Sequence, residues 1–400
     1  MINLEAPKKA GALINQAYQA AAEVFRPISR KYDRAEHTYP SELDMFAALL
    51  DGLNSSGEGG AGAAGVRRSK DEKEKGNRNG ANLNVVLGTI EMCWGDVGLL
   101  LSMPRQGLGN AAIGSVATDE QLERFSGMWA AMAITEPSCG SDSAAITATA
   151  RLDGDHYVLN GEKIFVTSGE RADAVVVWAT LDKSKGRAAI KSFVVEKGTP
   201  GFEVVRVEHK LGIRASDTAV LRFENCRVPP ENLLGTPEID TAKGFAGVMQ
   251  TFDNTRPLVA AMAIGVARAA LEETRRILEE AGVEIDYDRP ANSQHAAAAE
   301  FLKLEADYES AYLLTLESAW MADNRKPNSL QASMAKAKAG RSVVEIALKC
   351  VELTGAYGEE SLLEKWARDA KILDIFEGTQ QIQQLIVARR ILGKTSAELK

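Results

Sequence analysis

"RDAKILDIFEGTQQIQQLIVAR", Arg368 to Arg389, is the stretch on which the reading of this chain turns. "LLEKWARDAKI" has a helical pattern, and Thr379, Gln380 and Gln381 open a further helix after it. Between the two stands Glu377, a carboxylate flanked by the bulky Phe376 and by Gly378 in a largely apolar run. Most glutamates are surface residues, and Thr379 by itself is no more than part of a helix cap. Gly378, however, leaves room for close approach to the backbone.

Outward from this segment the C-terminal part stays helical. Phe301, Leu304, Tyr308, Ala311 and Tyr312 recur on one helical face, and "SLQASMAKAKAGRSVVEIALKCVELTG" reads as another helix of a bundle. From Trp129 to Gly235 the texture is different. "AVVVWATL", "IKSFVVEK", "FEVVRVEH" and "TAVLRFENCRV" are β-branched or alternating, and Pro229-Pro230 closes the block. "HYVL" and "KIFVT" flank Asn160-Gly161, which predicts a β-hairpin turning at those two residues. We therefore expect a mainly helical chain with a central β-domain: residues 1–128 helical, 129–235 a β-barrel-like domain, and 236–400 a four-helix bundle. Within the first part, Asn54 to Gly80 is rich in glycine and charge and predicts a mobile loop. Its literal G-x-G-x-x-G at Gly57, Gly59 and Gly62 lies between no strand and helix, so a Rossmann site is not expected.

The chain has 400 residues, with 45% hydrophobic and 26% charged, enough for two or three domains with real cores. A formal net charge of -8 argues against nucleic acid as a partner, because phosphate binding needs clustered Lys and Arg. No run approaching the ~20 apolar residues of a membrane span stands out, so no membrane partner is expected. Cys93, Cys139, Cys226 and Cys350 are widely separated, as suits a reducing compartment, and we expect the cytoplasm. His37, His156, His209 and His295 show no ligand spacing, and no metal site is expected.

Three further segments carry candidate chemistry. "AITEPSCGSD", Ala133 to Asp142, can offer backbone N–H groups and hydroxyls to a cofactor edge, or can be a solvated turn. "FVTSGERAD" sets Phe165 beside Thr167 and Ser168, a pattern able to stack on a planar ring and bond its rim; a core Phe followed by a polar turn is the alternative. "MQTFDNTRPLVAAMAIGVARAALEE" predicts a long helix starting near Asp253 and Thr255, with Pro257 in its tolerated first turn. Arg256 there is a cation near the helix end, or a plain surface arginine.

Taken in order, "TEPSCGSD", "NGEKIFVTSG", "KLGIRASDT", "VPPENLLG", "FDNTRPLVAA" and "RDAKILDIFEGTQQIQQLIVAR" resemble the acyl-CoA dehydrogenase family from about Met132 to Arg390. The first third resembles it in helical character only. The resemblance implies a flavoprotein of fatty acid metabolism that oxidises acyl-CoA to trans-2-enoyl-CoA, with FAD between the β-domain and the bundle. It implies an electron-transferring flavoprotein as electron acceptor. Glu377 would be the base for the α-proton, its backbone N–H bonding the thioester carbonyl, while the β-hydrogen leaves as hydride to flavin N5. Loss of water around Glu377 would raise its pKa. Thr135, Phe165, Val166 and Thr167 would line the flavin, and Thr379, Gln380 and Gln381 would lie near the rest of FAD. Ser141, Asp253, Arg256, Gly378 and Arg389 match substrate-contacting positions. Thr255 holds the place where branched-chain members keep their base, and Phe376 stands where Tyr is usual.

Two elements depart from the family pattern. The region of the usual Arg-x-x-Phe-Gly, which reaches a neighbouring subunit's FAD diphosphate, reads "LEEAGVEIDYDRPANSQH", with Glu279, Glu280, Glu284, Asp286 and Asp288. The usual Gln-x-x-Gly-Gly-x-Gly reads "ELTGAYG", with Glu352 for the amide and Ala356 for a glycine. Both belong to the half-site offered to a neighbour. The expectation is an α2β2 assembly with a paralogous subunit, or a homotetramer in which Arg289 takes the missing role. An acyl-CoA oxidase, and a non-catalytic acyl-CoA-binding subunit, remain as alternatives.

Overall fold

The computed structural model describes residues 10–48, 80–239, 246–356, 361–395 and 398–399, without the side chains of residues 81 and 246–254. The expected mobile loop, with Gly57, Gly59 and Gly62, lies outside the described residues except for Gly80.

The described residues open with α1 (Ala10–Ala20), which continues through a π-helical turn, Ala21–Phe25, into α2 (Arg26–Arg34). A helical stretch at residues 43–48, the long α3 (Ala81–Leu101), then α4 (Leu108–Val116) and α5 (Asp119–Arg124) follow. Thr118 starts α5 with a reciprocal capping box to Gln121. Part of α3, Asn82–Leu101, is long and apolar enough to cross a membrane, contrary to the expectation that no run approaches such a span. Because most of it is buried against the rest of the molecule, its apolarity is that of a core helix.

Seven strands follow: β1 (Ala130–Ala133), β2 (Thr149–Asp153), β3 (His156–Thr167), β4 (Ala174–Thr180), β5 (Ile190–Glu196), β6 (Phe202–Val207) and β7 (Thr218–Val228). They form one sheet in the order β1-β4-β2-β3-β7-β6, with β5 paired to β4. The four quoted runs fall on β4 to β7. Every residue of β4 is buried, which is why "AVVVWAT" is continuous rather than alternating.

The hairpin expected at Asn160-Gly161 is not there. Both residues lie inside β3, and the chain reverses between β2 and β3, where Asp153 pairs with His156 and Gly154 takes φ +62°. Asn160-Gly161 instead marks a bulge, where the register against β7 shifts between Leu159 and Gly161. A Cβ at Gly161 would sit 2.6 Å from the Ala148 Cβ, and Asn160 Oδ1 accepts from the Asn225 N–H at 2.8 Å. The turn-like dipeptide thus serves a crowded strand crossing.

The C-terminal helices are α6 (Ala246–Glu280), α7 (Ala296–Asp323), α8 (Ser329–Thr354), α9 (Leu363–Leu373) and α10 (Gln380–Leu392). The helix expected to start near Asp253 begins earlier, at Ala246, so Pro257 is interior rather than in the first turn. A proline there offers no N–H to the carbonyl four residues back and relies on tertiary packing for tolerance; Leu258, Val259 and Ala260 are accordingly buried. One apolar core joins α3 with α6 to α9, and a second fills the β-domain.

At the junction of these parts lies an ionic cluster. Lys365 of α9 donates to Asp96 Oδ2 at 2.5 Å and to Asp369 Oδ2 at 2.6 Å, all three groups being fully buried. Ser29 of α2 donates to Asp96, and the Ile213 N–H donates to Asp369 Oδ1 at 2.6 Å. Asp96 interrupts α3 with extended backbone angles, and its Oδ1 accepts from the Leu99 N–H at 2.8 Å, so it caps the second half of the helix.

Candidate active site

Two loops of the β-domain are held together by a buried ion pair. Glu136 Oε1 accepts from Lys163 Nζ at 2.8 Å and from the Ala148 N–H at 2.9 Å. Its Oε2 accepts from the Thr147 N–H and hydroxyl, both at 2.7 Å. Burial pushes the Glu136 carboxyl up, but Lys163 and these amides more than offset it and hold it below the usual range. Lys163 also donates to the Ile134 carbonyl, and the Ile164 N–H to the Thr135 carbonyl at 2.9 Å. Thr135 is thereby fixed beside the strand that carries Phe165, Val166 and Thr167.

Phe165 is 63% exposed and has φ +58°, a rare backbone state for a bulky residue. The core alternative for its ring is therefore excluded. Val166 is buried under it, and the following turn is tied to Asp217, whose carbonyl accepts from the Ser168 N–H and whose carboxylate accepts from the Glu170 N–H. Phe165 is a ring held outward on a fixed support.

The second cluster gathers around Glu377. Helix α9 ends as the Phe376 N–H bonds back to the Ile372 carbonyl, and Thr379 caps α10 by accepting from the Ile382 N–H. Glu377 (φ +52°) and Gly378 (φ +96°) make the link between them in left-handed conformations. Gln383, fully buried, donates its amide to both the Glu377 and the Gly378 carbonyls at 3.2 Å. Lys336 of α8, also fully buried, donates to the Gly378 carbonyl at 2.8 Å.

The Thr255 hydroxyl hydrogen-bonds the Glu377 carboxylate, and Glu377 Oε2 is buried with no hydrogen-bond partner among the described residues. Burial raises the Glu377 pKa; Thr255, Lys336 and Arg256 oppose the rise without cancelling it. Burial likewise draws Lys336 down to about 8. The Glu377 N–H donates to no described residue. A desolvated carboxylate with one unoccupied oxygen, next to an unoccupied N–H, is equipped to take a proton from a carbon acid while the amide bonds the adjacent oxygen.

The structure thus brings Thr255, Arg256, Glu377, Gly378 and Thr379 together. Arg256, which could have been a surface residue, is 3% exposed. Gln380 is buried, with an Oε1 that has no hydrogen-bond partner, whereas Gln381 faces outward. Ser141 is exposed in the loop before the short turn Ser143–Ala145, and Arg389 sits in the last turn of α10, donating from Nε to the Leu399 carbonyl at 2.8 Å. Asp253 lies in α6 with its side chain outside the described residues. Glu136, Lys163, Lys336 and Gln383 lie outside the set of residues expected from the sequence.

Two histidines far apart in the chain also meet, which their spacing does not indicate. His209 Nδ1 lies 3.3 Å from His37 Nε2 and 3.0 Å from Glu36 Oε2. Glu36 is already bonded by Arg214 and by the Lys210 N–H, so the cluster latches the end of α2 to the segment after β6.

The fold that carries this cluster is shared with known proteins. Residues 131–226 match the acyl-CoA dehydrogenase middle domain, and residues 242–392 match the acyl-CoA dehydrogenase C-terminal domain. The short-chain-specific acyl-CoA dehydrogenase of Clostridium acetobutylicum is 34% identical over 390 residues, covering 95% of this chain and 97% of its own. The likeness therefore extends into the N-terminal helices. The structure of butyryl-CoA dehydrogenase from Megasphaera elsdenii superposes with a TM-score of 0.81 at 28% identity, over 98% of this chain and 100% of the other. A solved chain described with the electron transferring flavoprotein of Acidaminococcus fermentans superposes with a TM-score of 0.79 at 30% identity, over 98% of this chain and 100% of the other.

Proposed function

Since the chain belongs to the acyl-CoA dehydrogenase family, we propose that it performs FAD-dependent α,β-dehydrogenation of an acyl-CoA thioester, with Glu377 as the α-proton base. The observation that carries this is the buried, unpartnered Glu377 Oε2 beside an unoccupied backbone N–H. The residues present fit a flavin: Phe165 offers an exposed ring on a locked backbone, and Gln380 keeps a buried oxygen without a partner. Thr135, Phe165, Val166, Thr167, Thr379, Gln380 and Gln381 would hold FAD, which supplies the hydride acceptor for the β-hydrogen.

The chain's own part is acid–base chemistry and positioning. A thioester carbonyl bonded to the Glu377 N–H has a more acidic α-carbon, because the amide stabilises the developing enolate oxygen. Desolvation makes Glu377 a stronger base than a solvated carboxylate, while Thr255, Lys336 and Arg256 favour its charged form and oppose the rise. Gly378, whose missing Cβ makes room for Gln383 against the turn, would contact the substrate through its backbone, and Ser141, Asp253, Arg256 and Arg389 would bind the rest of it. In this reading an electron-transferring flavoprotein receives the electrons.

We further propose that the working assembly is a tetramer with a paralogous partner, α2β2. Its support is the acidic segment after α6 together with Arg289, which pairs at 3.4 Å with Asp286 of its own chain. Carboxylates there would repel a neighbour's diphosphate. The cytoplasm remains our proposed location, in keeping with four free, buried cysteines.

Anaerobic mixing of flavin-loaded protein with acyl-CoA substrates should bleach the flavin absorbance, and Glu377→Gln should bind flavin yet lose the bleaching by about 10²–10⁴-fold. Equal bleaching by Glu377→Gln would remove Glu377 as base. FAD per subunit in the chain expressed alone tests the assembly, since full flavin content with normal turnover rules out a need for a paralogue.

A further inference from the structure

Lys336 contributes a fully buried ammonium beside the proposed base, with no part in the proton abstraction assigned to Glu377. Its Nζ donates to the Gly378 carbonyl at 2.8 Å, the carbonyl of the residue that follows the base. Gln383 reaches the same oxygen, so one carbonyl is clamped from α8 and from α10. The turn so clamped is strained, since Glu377 holds φ +52° without being a glycine. The charged groups that face Lys336 are Asp374 and Glu377, which attract it, and Arg256, which repels it. A buried cation among these groups is costly unless it stabilises something specific.

We propose that Lys336 is a positioning residue for proton abstraction: through the Gly378 carbonyl it pins the Glu377–Gly378 turn, and it supplies positive charge beside the base. The inference rests on the reading of Glu377 as the base. It divides the work between two donors that look redundant, Gln383 supplying a neutral bond and Lys336 a bond that carries charge. Because burial brings the ammonium down to about 8, the charge is present at neutral pH and lost in mild alkali.

The test uses flavin-loaded protein and an acyl-CoA in which oxygen replaces the β-carbon, so that the α-proton can exchange but no hydride can leave. Uptake of deuterium at the α-carbon is followed by mass spectrometry across pH 5–10, alongside flavin content and thermal melting. Wild type should show an acid limb set by Glu377 and a decline as Lys336 loses its proton. Lys336→Met should exchange about 10- to 100-fold more slowly at neutral pH, lack the alkaline decline, and have its acid limb moved to higher pH. Lys336→Arg, which keeps a charge that does not titrate in this range, should restore the position of the acid limb and lose the alkaline decline.

Wild-type rate and profile in Lys336→Met would overturn the inference. So would equal slowing in both variants with an unmoved acid limb, since that reports packing alone. If Lys336→Met does not fold or hold flavin, an alkaline decline persisting in Lys336→Arg overturns it. Glu377→Gln separates the two readings: no exchange leaves the base assignment standing whatever Lys336 does, whereas unchanged exchange removes both.

Discussion

Gly378→Ala is the substitution whose cost can be worked out most fully. The alanine Cβ would be placed 2.4 Å from Gln383 Nε2, and the backbone must keep φ +96°. A non-glycine residue in such a conformation costs about 1–3 kcal/mol. Gln383 is fully buried and cannot swing into solvent, so relieving the clash breaks its two bonds to the Glu377 and Gly378 carbonyls. At about 0.5–1.5 kcal/mol each, these add about 1–3 kcal/mol. The sum is about 2–6 kcal/mol, large beside a typical folding stability of about 5–15 kcal/mol. Should the turn move instead, a displacement of about 1 Å at Glu377 slows the chemistry about 100-fold. Gly393→Ala is the control, because Gly393 has φ +63° but open space around its Cβ position, and should cost only the backbone strain of about 1–2 kcal/mol. Urea melts and turnover measured on both proteins decide the matter. If Gly378→Ala melts no earlier than Gly393→Ala and turns over normally, the clamp described for Gln383 does not operate.

Other substitutions have outcomes of definite sign. Thr255→Val removes a hydroxyl that favours the charged Glu377, so the acid limb of a pH–rate profile should move upward and the rate on that limb fall about tenfold or more, with the plateau little changed. Folding stability carries the same carboxylate: with its pKa raised by burial, stability is fullest below the unfolded pKa and declines as pH rises through the folded value. Glu377→Gln should abolish that part of the decline in denaturation curves taken at several pH values. Lys365→Met leaves Asp96 and Asp369 buried without their cation and should destabilise the protein by about 3–5 kcal/mol in chemical denaturation. Glu136→Gln removes the partner charge of buried Lys163 and should destabilise by a similar amount, with FAD content falling as the Thr135 and Phe165 segments loosen.

The segments that could be read directly were those whose function and packing coincide. The β4 run is apolar because both faces are covered, and the "DIFEGT" run exposes its carboxylate, its glycine and its helix cap in six residues. Asn160-Gly161 was misread because a bulge at a crowded crossing asks for the same residues as a tight turn. Pro257 was placed in a first turn because local preference carries no information about the tertiary packing that lets it sit inside α6. Lys336 was hidden in "SMAKAKAG", where two lysines alternate with alanines. Helical spacing held the clue: Ala332, Lys336, Ala339 and Val343 form one buried stripe, whereas Lys338 falls off it and pairs with Asp307. Glu136 and Lys163 lie 27 positions apart, and their pairing depends on how the first β-domain loop folds across β3, which no local pattern records.

The ionic cluster at the domain junction has a consequence for how the chain is made. Ser29 and Asp96 leave the ribosome early, Ile213 midway, and Lys365 with Asp369 close to the end. A nascent chain holding only its first helices has Asp96 in an apolar setting without the lysine that bonds it, so premature closure of that part is penalised. Final docking must wait for α9, and the same wait keeps a half-built molecule from settling into a compact wrong arrangement.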